Sequence, residues 1–343
     1  MLSVASSTAL TGIRMTKHVI DSISNNISNA DTAGYRRLQN DNYELAPQAG
    51  SGSGVDTFIS RANDPIVDAN LTRARFRLAE ETAMKEGTDA ANIVATNTNV
   101  DGAYSALMNS AKDLQLNPTN NALKSVFDAA GQDFTKAIKI TKDSFAAIST
   151  NLAQKSDLAN IELQGLQRKL TELSSSGSDG AYVEANYIKD KITTLQGTLS
   201  GYSKAMYQNL PVTTAAFNAA TDAVTTDINT RNGATLINPD DTWNTSAFSN
   251  VNSLADSNVS DFGNAVGKAK AIAGSNANTS LLGQRYATAD FTSASAAADA
   301  AYSVDTASEL IKLKQYQNLY DANMQVFATS DQMLGTLLNI VAR

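Results

Sequence analysis

The sequence predicts a mainly α fold: an elongated rod of long helices, with paired N- and C-terminal coiled-coil helices, a central helical bundle and a small β-hairpin or β-rich insertion. Apolar residues recur at three- and four-residue steps over long stretches. Charged residues make up only 18% of the 343 positions, below the ~25% usual for globular proteins. Residues 118–173 would span ~84 Å as one helix. A compact globule of this length has a radius of gyration of only ~20 Å, so a rod is expected.

An amphipathic helix is predicted between residues 3 and 29, because apolar side chains recur there with helical spacing. Lys17 interrupts its apolar face. The helix should end near Gly34, since glycine readily adopts the left-handed conformation of a C-cap. Short apolar pieces on either side of a glycine-rich turn at 50–54 then predict an extended arm or β-hairpin over residues 35–63. The apolar face of the helix comprises Leu10, Ile13, Ile20, Ile23 and Ile27.

The centre of the chain also predicts helices. Asp64 followed by Pro65 supplies an N-cap residue and a proline at the first helical position, and Asn117 with Pro118 repeats this signal. Apolar seams continue from there to Met206, broken by a turn at 174–180. Beyond Pro211 the periodicity fades, and it returns weakly at 262–272 and firmly from about residue 297.

These patterns divide the chain into four parts. We expect a terminal helical polymerisation domain of residues 1–34 and 304–343, followed in the chain by the arm of residues 35–63. A helical outer domain should comprise residues 64–210 and 261–303, and a small irregular or β-rich insertion should occupy residues 211–260.

The last forty residues carry two apolar seams. The first seam follows the a and d positions of a heptad repeat, and eight of these ten positions are apolar or aromatic. Two adjacent seams make an apolar face that is too broad for a two-stranded coiled coil. We therefore expect this helix to pack against more than one neighbouring helix. An ordinary intramolecular bundle is the alternative. The first seam comprises Leu310, Leu313, Gln317, Tyr320, Met324, Phe327, Asp331, Leu334, Leu338 and Val341, and the second Tyr316, Leu319, Val326, Met333, Leu337 and Ile340.

Composition argues against an enzyme and against several binding functions. The chain has no cysteine and one histidine, His18, which leaves too few groups for thiol, triad or multi-histidine metal chemistry. A formal net charge of −7 and the lack of basic clusters disfavour nucleic acid. No stretch is apolar enough to span a membrane, and no cleaved secretory signal is visible. We therefore expect no catalytic site, no cofactor and no metal.

Two segments resemble a known family. The sequence NNISNADTAGYRR, residues 25–37, is similar to the N-terminal signature of the flagellar rod, hook and hook-associated axial proteins, and residues 309–340 are similar to their C-terminal signature. The resemblance implies a structural subunit that is exported unfolded by the flagellar type III apparatus with an uncleaved N-terminal signal. It also implies a location in the extracellular flagellum. Implied partners are further copies of the chain, the hook protein, the next hook-associated protein and an export chaperone.

Within that family the closest likeness is to the hook-associated class at the hook–filament junction. It rests on Gly54, Val55, Arg61 and Asp64 before the first long helix and on Asn117–Pro118. A hook or rod paralogue is one alternative. An extracellular, adhesin-like helical protein that binds through residues 211–260 is another.

The expected assembly interface combines the two terminal helices with the N-terminal signature. Asparagines near the helix end can bond neighbouring backbone, Gly34 lets the chain turn, and Tyr35 can pack against the helix it has left. The residues assigned to this interface are Leu10, Ile13, Ile20, Ile23, Ile27, Asn25, Asn26, Gly34, Tyr35, Leu310, Leu313, Tyr320, Asn323, Met324, Phe327, Leu334 and Leu338.

Overall fold

The computed structural model describes residues 2–32, 35–45, 54–174, 179–248, 254 and 259–341. It confirms the mainly α fold class with a small antiparallel hairpin. Most of the predicted turn at 50–54 and most of the one at 174–180 lie outside the described residues. The elements are α1 Leu2–Ser28, β1 Leu38–Leu45, β2 Gly54–Arg61, α2 Pro65–Asn97, α3 Val100–Leu116, α4 Asn121–Ser174, α5 Asp179–Lys204, a π-helical segment Ala205–Asn209, α6 Leu210–Asn232, a 3₁₀ turn Thr245–Ala247, α7 Val259–Tyr302 and α8 Thr306–Val341.

The chain divides into two compact units. The first comprises Met1–Thr72, Leu170–Lys189 and Thr292–Arg343, and the second Arg73–Lys169 and Asp190–Phe291. No helix among the described residues is long and apolar enough to cross a membrane.

In the first unit, α1 packs against α8 and against the hairpin. Strands β1 and β2 pair antiparallel, with Leu38 opposite Arg61 and Leu45 opposite Gly54. The residues that follow the hairpin confirm the predicted helix start, because the Asp64 carboxylate accepts from the amides of Ile66 and Val67. The fixed φ of Pro65 suits the first helical position.

A polar and aromatic cluster ties the hairpin to the end of α7. The Arg36 guanidinium makes two bonds to the Asp68 carboxylate, at 2.6 and 2.8 Å, and lies 4.2 Å from the ring centroid of Tyr302. The Tyr302 hydroxyl donates to the Asp64 carbonyl at 2.9 Å. Burial opposes the charge on Arg36, but the pair with Asp68 outweighs it and raises the pKa of Arg36. These contacts fix the chain on both sides of the hairpin.

The second unit holds the main hydrophobic core. Side chains from α3, α4, α6 and α7 fill it, and aromatic rings meet edge to face: Tyr104 and Phe262 lie 4.7 Å apart at 66°. The largest fully buried side chains of this unit are Tyr104, Leu107, Met108, Leu114, Phe127, Phe134, Ile138, Phe145, Phe217 and Ile228.

The structure differs from the sequence expectation after Pro211. Residues Leu210–Asn232 form α6 rather than irregular or β-rich chain, and Gly233 with φ 71° ends it. The helix buries Phe217, Ala220, Val224 and Ile228 at three- and four-residue steps. Its many threonines and small residues hide this period from a composition-based prediction. Among the described residues of this insertion, those from Gly233 to Phe248 are largely irregular, with an isolated bridge between Ile237 and Trp243.

Two helix starts also differ from expectation. Helix α4 begins at Asn121 rather than at Asn117, because the side chain of Asn120 accepts from the amide of Ala122 and serves as the cap. Helix α7 runs unbroken over Val259–Tyr302, where a weak return to helix was predicted. It buries small residues such as Ala269 and Ala273, which give a weaker hydrophobic signal than larger side chains.

Candidate assembly interface

The two terminal helices pair antiparallel, which confirms the predicted pairing. An added Cβ at Gly12 would lie 2.8 Å from Asn323 Nδ2, so these positions face each other. Asn26 hydrogen-bonds Glu309. In both pairs the two residue numbers sum to 335, and the shared sum defines the register of α1 against α8.

The apolar core of the pair is small. Met15, Val19 and Ile23 are buried on α1, with Ile27, Leu313 and Tyr316 packed against them. Of the predicted interface residues, the structure thus brings Ile23, Ile27 and Leu313 together.

The buried face of α1 is rotated relative to the predicted one. Leu10 is exposed, Ile13 and Ile20 are half-buried, and the fully buried positions include Val19 and Asn26 instead. Lys17, which interrupts the predicted apolar face, is exposed on the outer side of α1. The missed signal was the 3-4 spacing of Val19, Ser22, Ile23 and Asn26, two of which are polar and so do not count in a hydrophobic pattern.

Asn26 is the polar centre of the interface. It is 0% exposed, and its carboxamide makes four hydrogen bonds. Nδ2 donates to the Leu38 carbonyl at 3.0 Å and to Glu309 Oε2 at 3.1 Å. Oδ1 accepts from the Leu38 amide at 2.6 Å and from the Tyr35 hydroxyl at 2.9 Å. One side chain therefore joins α1 to α8 and to the hairpin, with its whole bonding capacity used.

Glu309 is a further interface residue that the sequence analysis missed. It is 6% exposed, and it accepts from Lys312 Nζ at 2.8 Å as well as from Asn26. A buried carboxylate is costly unless it is paired, and here both an ammonium and an amide group pair it. Nothing in the helical pattern of α8 distinguishes Glu309 from a solvated residue of the first turn.

The other residues of the N-terminal signature have different surroundings. Asn25 is exposed and lines a shallow groove of about 440 Å³ with Asn29, Tyr35 and Tyr187. Ser22 donates to Asn40 Oδ1 at 2.8 Å and adds a second link from α1 to the hairpin. Gly34 lies outside the described residues.

Helix α8 keeps a second apolar stripe that α1 does not cover. Its residues, which are 41 to 62% exposed, are Ile311, Leu319, Val326, Met333 and Leu337, and we call them the open stripe. They lie within about 40° of a common direction on the helix at 100° per residue. Leu310 and Met324 of the first seam are also exposed, whereas Tyr320, Asn323, Phe327 and Leu334 are half-buried. The side chain of Leu338 lies outside the described part of the structure.

The described residues contain no group of three or more His, Cys, Asp or Glu side chains that could hold a metal ion. His18 lies exposed on the outer face of α1. The interface residues bury apolar surface and form hydrogen bonds to buried polar groups. Both interactions stabilise the association of helices.

Comparison with known proteins bears on the C-terminal helix. Residues 301–340 match the family model described as flagellar basal body rod FlgEFG protein C-terminal, so the match covers nearly all of α8 and a small part of the whole chain. No curated protein and no solved structure gave a significant match. The matched segment contains Glu309 and the open stripe, and the match supports a structural protein of the flagellar axis.

Proposed function

We propose that this chain is a structural subunit at the hook–filament junction of the bacterial flagellum, and that it assembles with further copies through its paired terminal helices. The open stripe of α8, which lies in the segment matched by the flagellar rod model, carries the proposal. Its five side chains are apolar and half-exposed. Each would contribute about 1.5–3 kcal/mol on passing from full exposure to full burial, and here a fraction of that.

The junction assignment draws its support from the segment before α2. Arg61 stacks over the ring of Tyr182 with 4.3 Å to the centroid, and Asp64 caps α2. Both residues belong to the sequence pattern that resembles hook-associated proteins, and both make contacts that stabilise the first unit. The expected neighbours are the hook protein on one side and the next hook-associated protein on the other.

A hook or rod paralogue is the second candidate, since the matched family model describes rod proteins. Electron microscopy of a deletion strain separates the possibilities. Hooks that lack filaments would support the junction role. Basal bodies without hooks would indicate a hook protein, and absent rods a rod protein. Normal flagella would contradict all three assignments.

Export through the flagellar type III apparatus belongs to the same proposal. Removal of residues 1–30 should retain the protein in the cell, because the family resemblance locates the uncleaved signal there. That deletion also removes the partner of α8, so Ile23→Asp is the matched control. It should disrupt the helix pair while keeping the signal, and secretion should continue. Undiminished secretion of the deleted chain would refute the signal.

An export chaperone would cover the open stripe before assembly. Exposed apolar helix faces associate non-specifically, and a partner bound to α8 would prevent this. Co-purification of a small cellular protein with the intact chain, and its loss when Val326 and Met333 are both changed to Asp, would support this arrangement. Equal recovery of the same protein with both chains would contradict it.

A further inference from the structure

The two terminal helices could pair in several registers if apolar contacts alone determined their alignment. The buried cluster described between them contains three side chains of α1, and the facing seam of α8 repeats large residues about every seven positions: Leu313, Tyr320, Phe327 and Leu334. A slip by one heptad would present a similar apolar surface to α1. Contacts outside the apolar seam therefore help to select the register.

We propose that the register of the α1–α8 pair is set by polar residues, with the Asn26–Glu309 contact as the principal determinant and the Gly12–Asn323 contact as the second. In the observed register Val19 faces Tyr316, since their numbers also sum to 335. Val19 is 0% exposed. The Asn26–Glu309 hydrogen bond and the Gly12–Asn323 packing contact flank this apolar position on either side.

A slip in either direction conflicts with Val19. Moving α8 by seven residues one way puts Asn323 opposite Val19, and moving it seven the other way puts Glu309 there. Each slip thus buries a carboxamide or a carboxylate against an apolar side chain that offers no hydrogen bond. Each slip also separates Asn26 from Glu309, although Asn26 Nδ2 donates to that carboxylate at 3.1 Å in the observed register.

Gly12 provides space for the Asn323 side chain and does not hydrogen-bond to it through a side chain. An added Cβ would lie 3.0 Å from both Cγ and Oδ1 of Asn323, which is tighter than ordinary packing. The half-buried Asn323 side chain therefore keeps its observed position only where α1 presents a residue without a Cβ, and any larger residue there would force it to shift. This selection concerns the pairing of the chain with itself and does not depend on the flagellar role.

Disulfide trapping in the full chain tests the inference, because the protein has no cysteine of its own. Met15→Cys paired with Tyr320→Cys reports the observed register. Met15→Cys paired with Phe327→Cys or Leu313→Cys reports the two slipped registers. A disulfide needs Cα atoms within about 7 Å, whereas a heptad slip moves a residue by ~10 Å along the helix.

With the polar residues intact, only the 15–320 pair should cross-link. In a background that carries both Asn26→Leu and Glu309→Leu, the yield of the 15–320 link relative to the slipped links should fall by about tenfold. Glu309→Gln keeps an acceptor for Asn26 and should retain the observed register. Thr16→Val is the matched control, because Thr16 is 0% exposed on the same helix but bonds only the carbonyls of Gly12 and Ile13 within α1.

Exclusive 15–320 cross-linking in the double leucine background would overturn the inference, since apolar packing would then set the register. Loss of the helix pair itself in that background, seen as no cross-link at any of the three positions, would also overturn it. Apolar replacement should release the register without dissolving the pair. An equal slip in the Thr16→Val variant would also overturn the inference, because that variant keeps the Asn26–Glu309 contact.

Discussion

Asn26 on α1 donates a hydrogen bond to Glu309 on α8 across 283 positions of sequence, and both side chains are buried. Buried polar groups are stable only when they are satisfied, so this contact makes each terminal helix depend on the other. It also couples the pair to the hairpin, because the same carboxamide bonds the backbone of Leu38 on both sides.

Replacement of Asn26 should therefore destabilise the first unit. We expect Asn26→Ala to lower the free energy of opening of the α1–α8 pair by about 2 kcal/mol, since it leaves the half-buried Leu38 amide and carbonyl and the buried Glu309 carboxylate without this partner. Hydrogen exchange of the α1 amides measures the change. Asn25→Ala is the matched control at the exposed neighbouring position and should stay within about 0.5 kcal/mol. Equal effects of the two variants would contradict the role of Asn26.

The open stripe should matter for assembly and not for the monomer. Val326→Asp adds a carboxylate to a side chain that is 51% exposed, so the circular dichroism and melting of the monomer should not change. In the polymer the same carboxylate would be buried without a partner, and assembly should be lost. Sedimentation under assembly conditions measures this. Gln325→Asp, on the exposed polar side of the same helix, should assemble normally; failure of both variants would indicate a charge effect instead.

Much of this interface could be predicted, and the missed parts have a physical reason in common. The two amphipathic terminal helices, the cap at Asp64 and the hairpin follow from local patterns that one segment carries by itself. The rotation of the α1 face and the burial of Glu309 do not, because they depend on which polar groups meet across the chain. Ser22 and Asn26 look like surface residues until Asn40, Leu38 and Glu309 supply their partners.

Two glycines of α4 should respond in opposite directions to the same change. An added Cβ at Gly131 would overlap the indole ring of Trp243, so Gly131→Ala should destabilise the second unit by about 1–3 kcal/mol. Gly165 has nothing within 4 Å of an added Cβ, so Gly165→Ala should stabilise the helix by about 0.5–1 kcal/mol. Urea unfolding followed by the fluorescence of Trp243, the single tryptophan, measures both. Two changes of the same sign would contradict this packing.

The second unit should lose stability in alkali through Tyr202. Burial, together with the Glu86 carboxylate to which its hydroxyl donates at 3.1 Å, raises the pKa of Tyr202 from 10.0 to about 12. The folded state therefore holds this proton more tightly than the unfolded chain. Its contribution is complete below pH 10 and is lost as the pH rises to about 12. Tyr202→Phe should flatten the stability profile between these values in urea titrations, whereas Tyr207→Phe, at a position 76% exposed, should leave it unchanged.

The α1–α8 pair should open more readily than the core of the second unit in a verified monomer. The buried apolar cluster between α1 and α8 contains Met15, Val19 and Ile23, whereas Tyr104, Phe134 and Phe145 belong to a far larger cluster. Local stability follows the amount of buried apolar contact, so amides in α1 and α8 should exchange at least roughly tenfold faster than those in α3. Assembly should slow exchange in α8 because the open stripe is then covered. Equal protection of α1, α8 and α3 in the monomer would mean that the terminal pair is a closed, self-sufficient bundle, and the open stripe would no longer argue for a polymer.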